Sequence, residues 1–299
     1  MYSYARLSDR DTGFVRLIGN GLGNLLFPWA RWILATRQHH LTPIAPTWLQ
    51  IQMGPILRNE PDKRFYHKLF VSPSEQIHGI EKITLLNTRP KITEQAFSPD
   101  AQSPEKAIVV FEGLRNQFGD ILRDHARVKQ ELVSIARPEH TRGLEYDFKN
   151  SITVHVRMGD FFVTRDTRIF HNGQMGYRIP LSWYADKIEQ LRAHFGNLPA
   201  HIFSDGTDAE LAELLNLKDC ARLSFSSSLA DMLAMSQANL FIGSASTFSQ
   251  WASYLGRMPT IWFQGQSRRL YYDHPHAQVE CDEADLIPAT FFHACEEDR

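Results

Sequence analysis

The spacing of apolar and polar positions changes character midway along the chain. In the first half, an apolar run at 14–18 leads through Gly19-Asn20-Gly21-Leu22-Gly23-Asn24 into an apolar-periodic stretch at 25–37, which predicts strand, glycine-rich turn and helix. Runs at 82–86 and 107–111 predict two further strands and 116–135 a long helix, with irregular connections over the Pro-, Gln- and Ser-rich stretches 43–61 and 88–104. From Ser151 onward the pattern is regular. Strands at 152–156, 201–204, 222–225, 240–243 and 260–263 alternate with helices at 181–195, 208–215, 229–238 and 248–255. That alternation predicts an α/β fold whose parallel sheet is covered on both faces, the doubly wound type. The change of pattern places a boundary near 140–150, hence one domain over 1–145 and another over 146–299. The acidic end Glu296-Glu297-Asp298 reads as a solvated tail.

Composition narrows the function classes. The 299 residues are 43% hydrophobic and 22% charged, with 32 basic against 34 acidic residues and a formal net charge of -2. No overall field recruits nucleic acid or an anionic membrane, so any anion site is local. Cys220, Cys281 and Cys295 are odd in number and widely spaced, which suggests neither a disulfide framework nor a zinc site and fits a reducing compartment. The start of the chain, with Arg6, Asp9, Arg10 and Asp11, is unlike a signal peptide, and no eighteen apolar residues run together. A cytoplasmic protein with at most peripheral membrane contact is the expectation.

Four blocks carry candidate chemistry. Gly21-Leu22-Gly23-Asn24 lies between strand and helix, where glycines either let the backbone approach a ligand or simply pack helix on strand. In Val154-His155-Val156-Arg157-Met158-Gly159-Asp160 the strand alternation puts His155, Arg157 and Gly159 on one face and Val154, Val156 and Met158 on the other. A guanidinium at the carboxyl end of a parallel strand suits a phosphate, while a structural ion pair of Arg157 with Asp160 is the plainer alternative. Asp205, closing Phe203-Ser204-Asp205, either caps the next turn or reaches a ligand. Around the helix start at Ser246, Thr247 and Phe248, the hydroxyls of Ser244, Ser246, Thr247 and Ser249 and the free N–H groups suit a pyrophosphate better than a simple cap does. Asp231 opens the preceding helix, where a carboxylate either complements the dipole or accepts the two donors on the edge of guanine. Asp9-Arg10-Asp11 formally matches a D-x-D metal pattern but precedes the first expected strand, and His39-His40 and His274-Pro275-His276 lack partners at metal-ligand spacing.

Taken in order, these blocks resemble the α-1,2-fucosyltransferases (glycosyltransferase family 11) and the wider group that includes α-1,6- and protein O-fucosyltransferases. The G-L-G-N of that family matches Gly21-Leu22-Gly23-Asn24, its H-x-R-R-x-D resembles His155 to Asp160, and its F-S-D resembles Phe203-Ser204-Asp205. Its helix Asp, M-S pair and S-S-F-S-x-W turn resemble Asp231, Met235-Ser236 and Ser246-Thr247-Phe248-Ser249-Gln250-Trp251. The resemblance implies a GT-B fold of two Rossmann-like domains facing a cleft, the acceptor on the N-terminal side and GDP-fucose held mainly by the C-terminal domain. It implies transfer of fucose to a glycan hydroxyl with inversion, without metal or cofactor. Arg157 and Asp160 are then catalytic, and Gly21, Gly23, Asn24, His155, Arg157, Asp205, Asp231, Ser246, Thr247 and Phe248 bind substrate. Two departures stand out: Met158 replaces the second arginine of the motif, and Gln250 replaces a frequent tryptophan. They leave open another nucleotide-sugar donor or a non-catalytic nucleotide- or glycan-binding relative. Asp160, Asp166 and His171 are the options for a general base.

Overall fold

The computed structural model describes residues 1–53, 57, 65–99, 106–164 and 166–297. The chain divides into two compact units, Met1–Pro138 and Glu139–Arg299. In the first, β1 (Tyr2–Arg6), β3 (Thr42–Ile44), β5 (Lys91–Thr93) and β6 (Ile108–Glu112) form a parallel sheet in the order β3-β1-β6-β5. A separate parallel ladder joins β2 (Arg16–Leu17) to β4 (Gln50–Ile51). Helices α1 (Leu22–Gln38), α2 (Gly79–Thr88) and α3 (His125–Ile135) belong to the same unit.

The central strand β1 was not expected, because Tyr2-Ser3-Tyr4-Ala5-Arg6 looks polar. Its polar atoms are satisfied inside: Ser3 Oγ lies 2.8 Å from Thr36 Oγ1 and accepts Trp32 Nε1 at 3.0 Å, which locks α1 onto the sheet. The strand expected at 14–18 shrinks to β2, since positive φ at Gly13 (87°) and Ile18 (69°) breaks the extended chain on either side. Residues 82–86 belong to α2, with Lys82 and Leu85 turned inward at helical spacing. The long helix expected from 116 begins only at His125, after Asn116 and Gln117 turn the chain with φ of 47° and 44°. Stretches expected to be irregular contain β3, β4 and β5, while 54–56, 58–61 and 100–104 lie outside the described residues. The Asp9-Arg10-Asp11 stretch follows a strand end rather than preceding the first strand, and Asp11 is engaged internally, accepting Tyr4 Oη–H at 2.5 Å and Gly13 N–H at 2.8 Å.

Two features tie this unit together. Arg31 and Glu94, both buried, form a two-point pair at 2.9 and 3.1 Å, and Arg31 Nη2 also donates to Glu112 O at 2.8 Å, so one guanidinium joins α1 to the ends of β5 and β6. Lys82 is 5% exposed, donates from Nζ to Thr47 Oγ1 at 2.9 Å and lies 5.3 Å from the Tyr4 ring centroid. Burial lowers its pKa from 10.5 to about 8, opposed in part by the charge on Asp11.

The second unit holds β7 (Ile152–Val156), β8 (Ala200–Ser204), β9 (Cys220–Arg222), β10 (Leu240–Ile242), β11 (Thr260–Phe263) and β12 (Gln278–Cys281) in one parallel sheet, ordered β9-β8-β7-β10-β11-β12. Its helices are α4 (Arg168–His171), α5 (Leu181–Phe195), α6 (Ala212–Leu215), α7 (Ser228–Met235), α8 (Thr247–Gly256) and α9 (Ala289–Glu297). Starting at β7, this order is 3-2-1-4-5-6, the doubly wound dinucleotide-fold arrangement. Val154, Val156, Trp183, Ile188, Ile202, Ile242 and Phe263 pack into one core, each contributing roughly 1.5–3 kcal/mol by burial. Residues 139–145, assigned from the pattern to the N-terminal side, pack with this unit: a Cβ on Gly143 would strike Ala234 of α7, and His140 Nδ1 lies 2.9 Å from Ser227 Oγ. The acidic end continues helix α9, which buries Phe291 and Cys295, while Glu296 is exposed, as a solvated end requires; Asp298 lies outside the described residues. Among the described residues no helix is long and apolar enough to cross a membrane.

The Lys82 shift makes a testable statement about stability. The unfolded chain holds that proton up to about 10.5 whereas the fold releases it near 8, so this site favours folding increasingly as pH rises through that window and loses the contribution as pH falls back. Lys82→Met, which leaves Thr47 Oγ1 bonded to Tyr4 and Gly13, should flatten the rise of melting temperature between pH 8 and 10 relative to wild type. Equal slopes for the two proteins in thermal melts would refute the assignment.

Candidate functional site

Strand order in the six-stranded sheet reverses between β7 and β10. In open parallel sheets ligands bind outside the carboxyl ends of the strands at such a point. Two segments leave the sheet there, one after β7 and one after β10.

The register of β7 on β8 pairs Val156 with Ser204, so the next residues on each strand, Arg157 and Asp205, meet as an ion pair through Nη1 and Oδ2. The other Asp205 oxygen accepts Met158 N–H at 2.8 Å, and Arg157 Nη2 donates to Asp160 Oδ1 at 2.6 Å. The guanidinium lies 5.3 Å from the Phe161 ring centroid. Asp205 therefore orients the strand end instead of capping the following turn, a task that Thr207 and Glu210 perform reciprocally at 2.9 and 3.2 Å. Gly159 is required here because a Cβ would collide with Asp205 Oδ2. Sequence reasoning missed Arg178, whose Nε donates to Met158 O and Phe161 O, each at 3.1 Å, while Nη1 donates to Glu210 at 3.0 Å. Nothing in the local pattern around Arg178 marks it, since its partners lie in other turns.

Strand alternation is realised as expected: Val154, Val156 and Met158 enter the core and His155 faces the other way. Met158, where the motif has arginine, is 6% exposed and places no charge at the site. His155 Nδ1 lies 2.6 Å from Ser249 Oγ and 3.0 Å from Ser244 Oγ, and its ring packs 5.2 Å from Phe248. Burial, with Arg157 nearby, lowers its pKa from 6.5 to about 3, so the ring is neutral.

The hydroxyl cluster after β10 has a different job from the one its composition suggests. Ser244 Oγ lies 2.8 Å from Ser246 Oγ and 2.9 Å from Ser249 Oγ, and Ser246 Oγ accepts Ser249 N–H at 3.2 Å as the N-cap of α8. All three serines are buried and spent on this network and on His155. Half-buried Thr247 and Phe248 present the first-turn N–H groups, which have no acceptor within a helix. Asp231 on α7 accepts Phe225 N–H at 2.5 Å and Ser224 Oγ–H at 3.2 Å, organising the turn that leads from β9.

Gly21, Gly23 and Asn24 belong to the N-terminal unit, at the start of α1. Gly21 is its N-cap in extended conformation (φ -67°, ψ 166°), with no side-chain cap, and Leu22 N–H donates to Tyr66 Oη at 3.0 Å. Asn24 Oδ1 is buried and has no hydrogen-bond partner among the described residues.

Removing Arg178 tests how the Arg157 turn is held. Without it three carbonyl contacts vanish, so in Arg178→Ala the amides of Phe161 and Phe162 should exchange with solvent about tenfold faster or more, while the amides of β7 keep their protection. Hydrogen-exchange mass spectrometry reads both. Unchanged exchange at Phe161 and Phe162 would show that the turn stands without Arg178.

Comparison with known proteins bears on the fold and the family. The alpha-1,2-colitosyltransferase of Escherichia coli is 28% identical over 146 residues, covering 44% of this chain and 48% of that protein, so the match spans about half of the relative's length. The NodZ alpha-1,6-fucosyltransferase of Bradyrhizobium, in a crystal soaked with GDP-fucose, superposes with a TM-score of 0.52 at 14% identity over 88% of this chain and 95% of that one. POFUT1 in complex with GDP gives a TM-score of 0.52 at 12% identity over 87% of this chain and 98% of that chain. At such identities the likeness concerns the fold, which is of the GT-B type, as in those two enzymes. The profile of glycosyl transferase family 11 matches residues 104–271, more than half of the sequence, and the chain belongs to that family.

Proposed function

We propose that the protein is an inverting, metal-independent glycosyltransferase that moves fucose from GDP-fucose to a glycan hydroxyl. The observation that carries this reading is that the Arg157 turn and the start of α8 follow the neighbouring strands β7 and β10 at the switch point, with His155 of β7 bonded to Ser244 and Ser249. A guanidinium and free helix N–H groups together match a pyrophosphate. The GDP and GDP-fucose complexes of the fold relatives support the choice of nucleotide.

On this reading an acceptor hydroxyl attacks the anomeric carbon in line and GDP leaves from the opposite face. Negative charge gathers on the leaving pyrophosphate, where Arg157 and the N–H groups of Thr247 and Phe248 stabilise it in place of a metal. Asp160 and Asp205 aim the guanidinium. Asp231, which organises the turn after β9 through Ser224 and Phe225, is the carboxylate that reads the donor edge of guanine. Gly21, Gly23 and Asn24 supply substrate contacts from the N-terminal unit. A second reading, transfer of colitose, is favoured by the E. coli relative. Competition between GDP-fucose and GDP-colitose for transfer separates the two.

Arg157→Ala should lower turnover about 100-fold or more, the usual cost of removing one such donor to a developing anion. Turnover near wild type would remove Arg157 from the mechanism. In titration calorimetry GDP should bind while UDP and ADP bind at least about tenfold more weakly, and EDTA should leave transfer unchanged.

A further inference from the structure

We infer that His171 is the general base of the transfer and that Asp282 positions it, an inference that rests on the glycosyltransferase reading. His171 ends α4, and Asp282 directly follows β12, so both lie at the carboxyl edge of the same sheet as Arg157. His171 Nε2 lies 3.0 Å from Asp282 Oδ2. Asp282 is itself held, its Oδ1 accepting Glu283 N–H at 2.9 Å and its N–H donating to Asp285 at 2.8 Å. A carboxylate at Nε2 keeps the imidazole proton there and leaves Nδ1 as the acceptor. Nδ1 has no hydrogen-bond partner among the described residues, and the side chain is 37% exposed, open to an incoming hydroxyl.

The turn that carries this histidine is fixed far more firmly than a solvated loop requires. Gln266, fully buried, donates from Nε2 to Phe170 O at 2.8 Å and to Gln174 O at 3.2 Å. Gly265 (φ 83°) lets the strand end approach so closely that a Cβ would collide with Phe170 O and His171 Cα. The imidazole also stacks on the buried Phe263 ring, 28° between planes. The other two candidates for the base are each spent on an arginine. Asp160 is bonded to Arg157, and Asp166 to Arg168 at 2.8 Å through both oxygens, which holds the Asp166 carboxyl below its ordinary range. In the sheet, β12 is three strands from β7, roughly 14 Å at the usual spacing. A sugar diphosphate and its acceptor hydroxyl span that separation.

In the step, Nδ1 takes the proton of the acceptor hydroxyl as its oxygen forms the new bond to the anomeric carbon. The bond from that carbon to the phosphate oxygen breaks, and its electron pair leaves with GDP. The imidazolium, balanced by Asp282, then returns its proton to solvent.

His171→Ala and Asp282→Asn test the dyad in the full-length protein, with GDP-fucose and GDP-colitose as donors, lactose or water as acceptor, and GDP release as readout. His171→Ala should lower kcat about 100-fold or more and regain part of the rate with added imidazole. Its GDP affinity by calorimetry should stay within about twofold of wild type, because the dyad does not hold the nucleotide. Asp282→Asn should keep GDP affinity yet lower kcat by about tenfold or more, since an amide at Nε2 forces the proton onto Nδ1. A His171→Ala protein that binds GDP and turns over within about threefold of wild type overturns the inference alone, and so does one in which kcat and GDP affinity fall together. Wild-type protein that binds no GDP and releases none from either donor overturns the glycosyltransferase reading as well.

Discussion

The arrangement at the head of the C-terminal sheet depends on one carboxylate, Asp205. Parallel register delivers it beside Arg157, and its two oxygens divide between that guanidinium and the Met158 N–H. Several other residues follow from this. Gly159 has no room for a side chain because Asp205 occupies the space, and the turn that Gly159 permits brings Asp160 onto the same arginine. Arg178 then collects the outward carbonyls of that turn and is itself aimed by Glu210, which also caps the turn after β8. The result is a cation of fixed direction at a strand end, built from short-range contacts between neighbouring turns.

What the sequence made legible follows from where burial is symmetrical. Strand β7 and helix α5 appear where the pattern places them, because Ile152, Val154 and Val156 alternate with Thr153 and His155 at strand period and α5 has a clear inward stripe. The N-terminal unit was harder to read. Its central strand carries Ser3, Tyr4 and Arg6, and its interior is held by polar atoms on α1 and by the Arg31–Glu94 pair, so apolar periodicity underestimates burial there. The short run at 82–86 shows the ambiguity of five residues, which suit a strand or one face of a helix equally well.

The pattern marks the hydroxyls after β10 without showing what they bond to. Four serines and threonines near a helix start suggest an anion cradle, yet Ser244, Ser246 and Ser249 are consumed by His155 and by the cap, leaving the backbone of Thr247 and Phe248 to face outward. That distinction depends on a contact between residues 155 and 249, which no local pattern contains. His171 and Asp282 likewise come together only because α4 folds against the ends of β11 and β12.

Met158 shows how one substitution redistributes the electrostatics. On the core face of the strand end it packs at 6% exposure beside Gly206, where an arginine side chain would have to leave the apolar interior to find a partner. At this strand end the Arg157 guanidinium is shared between two carboxylates, Asp160 and Asp205. A guanidinium has five N–H groups, more than its bonds to these two carboxylates use, so a pyrophosphate can join without displacing either. Asp205 is anchored by the Met158 N–H and wedged against Gly159, whereas Asp160 lies in the outer turn at 39% exposure, where water can take over its solvation. On the proposed reading Asp205 and Asp160 keep the guanidinium aimed while the pyrophosphate takes its remaining N–H groups.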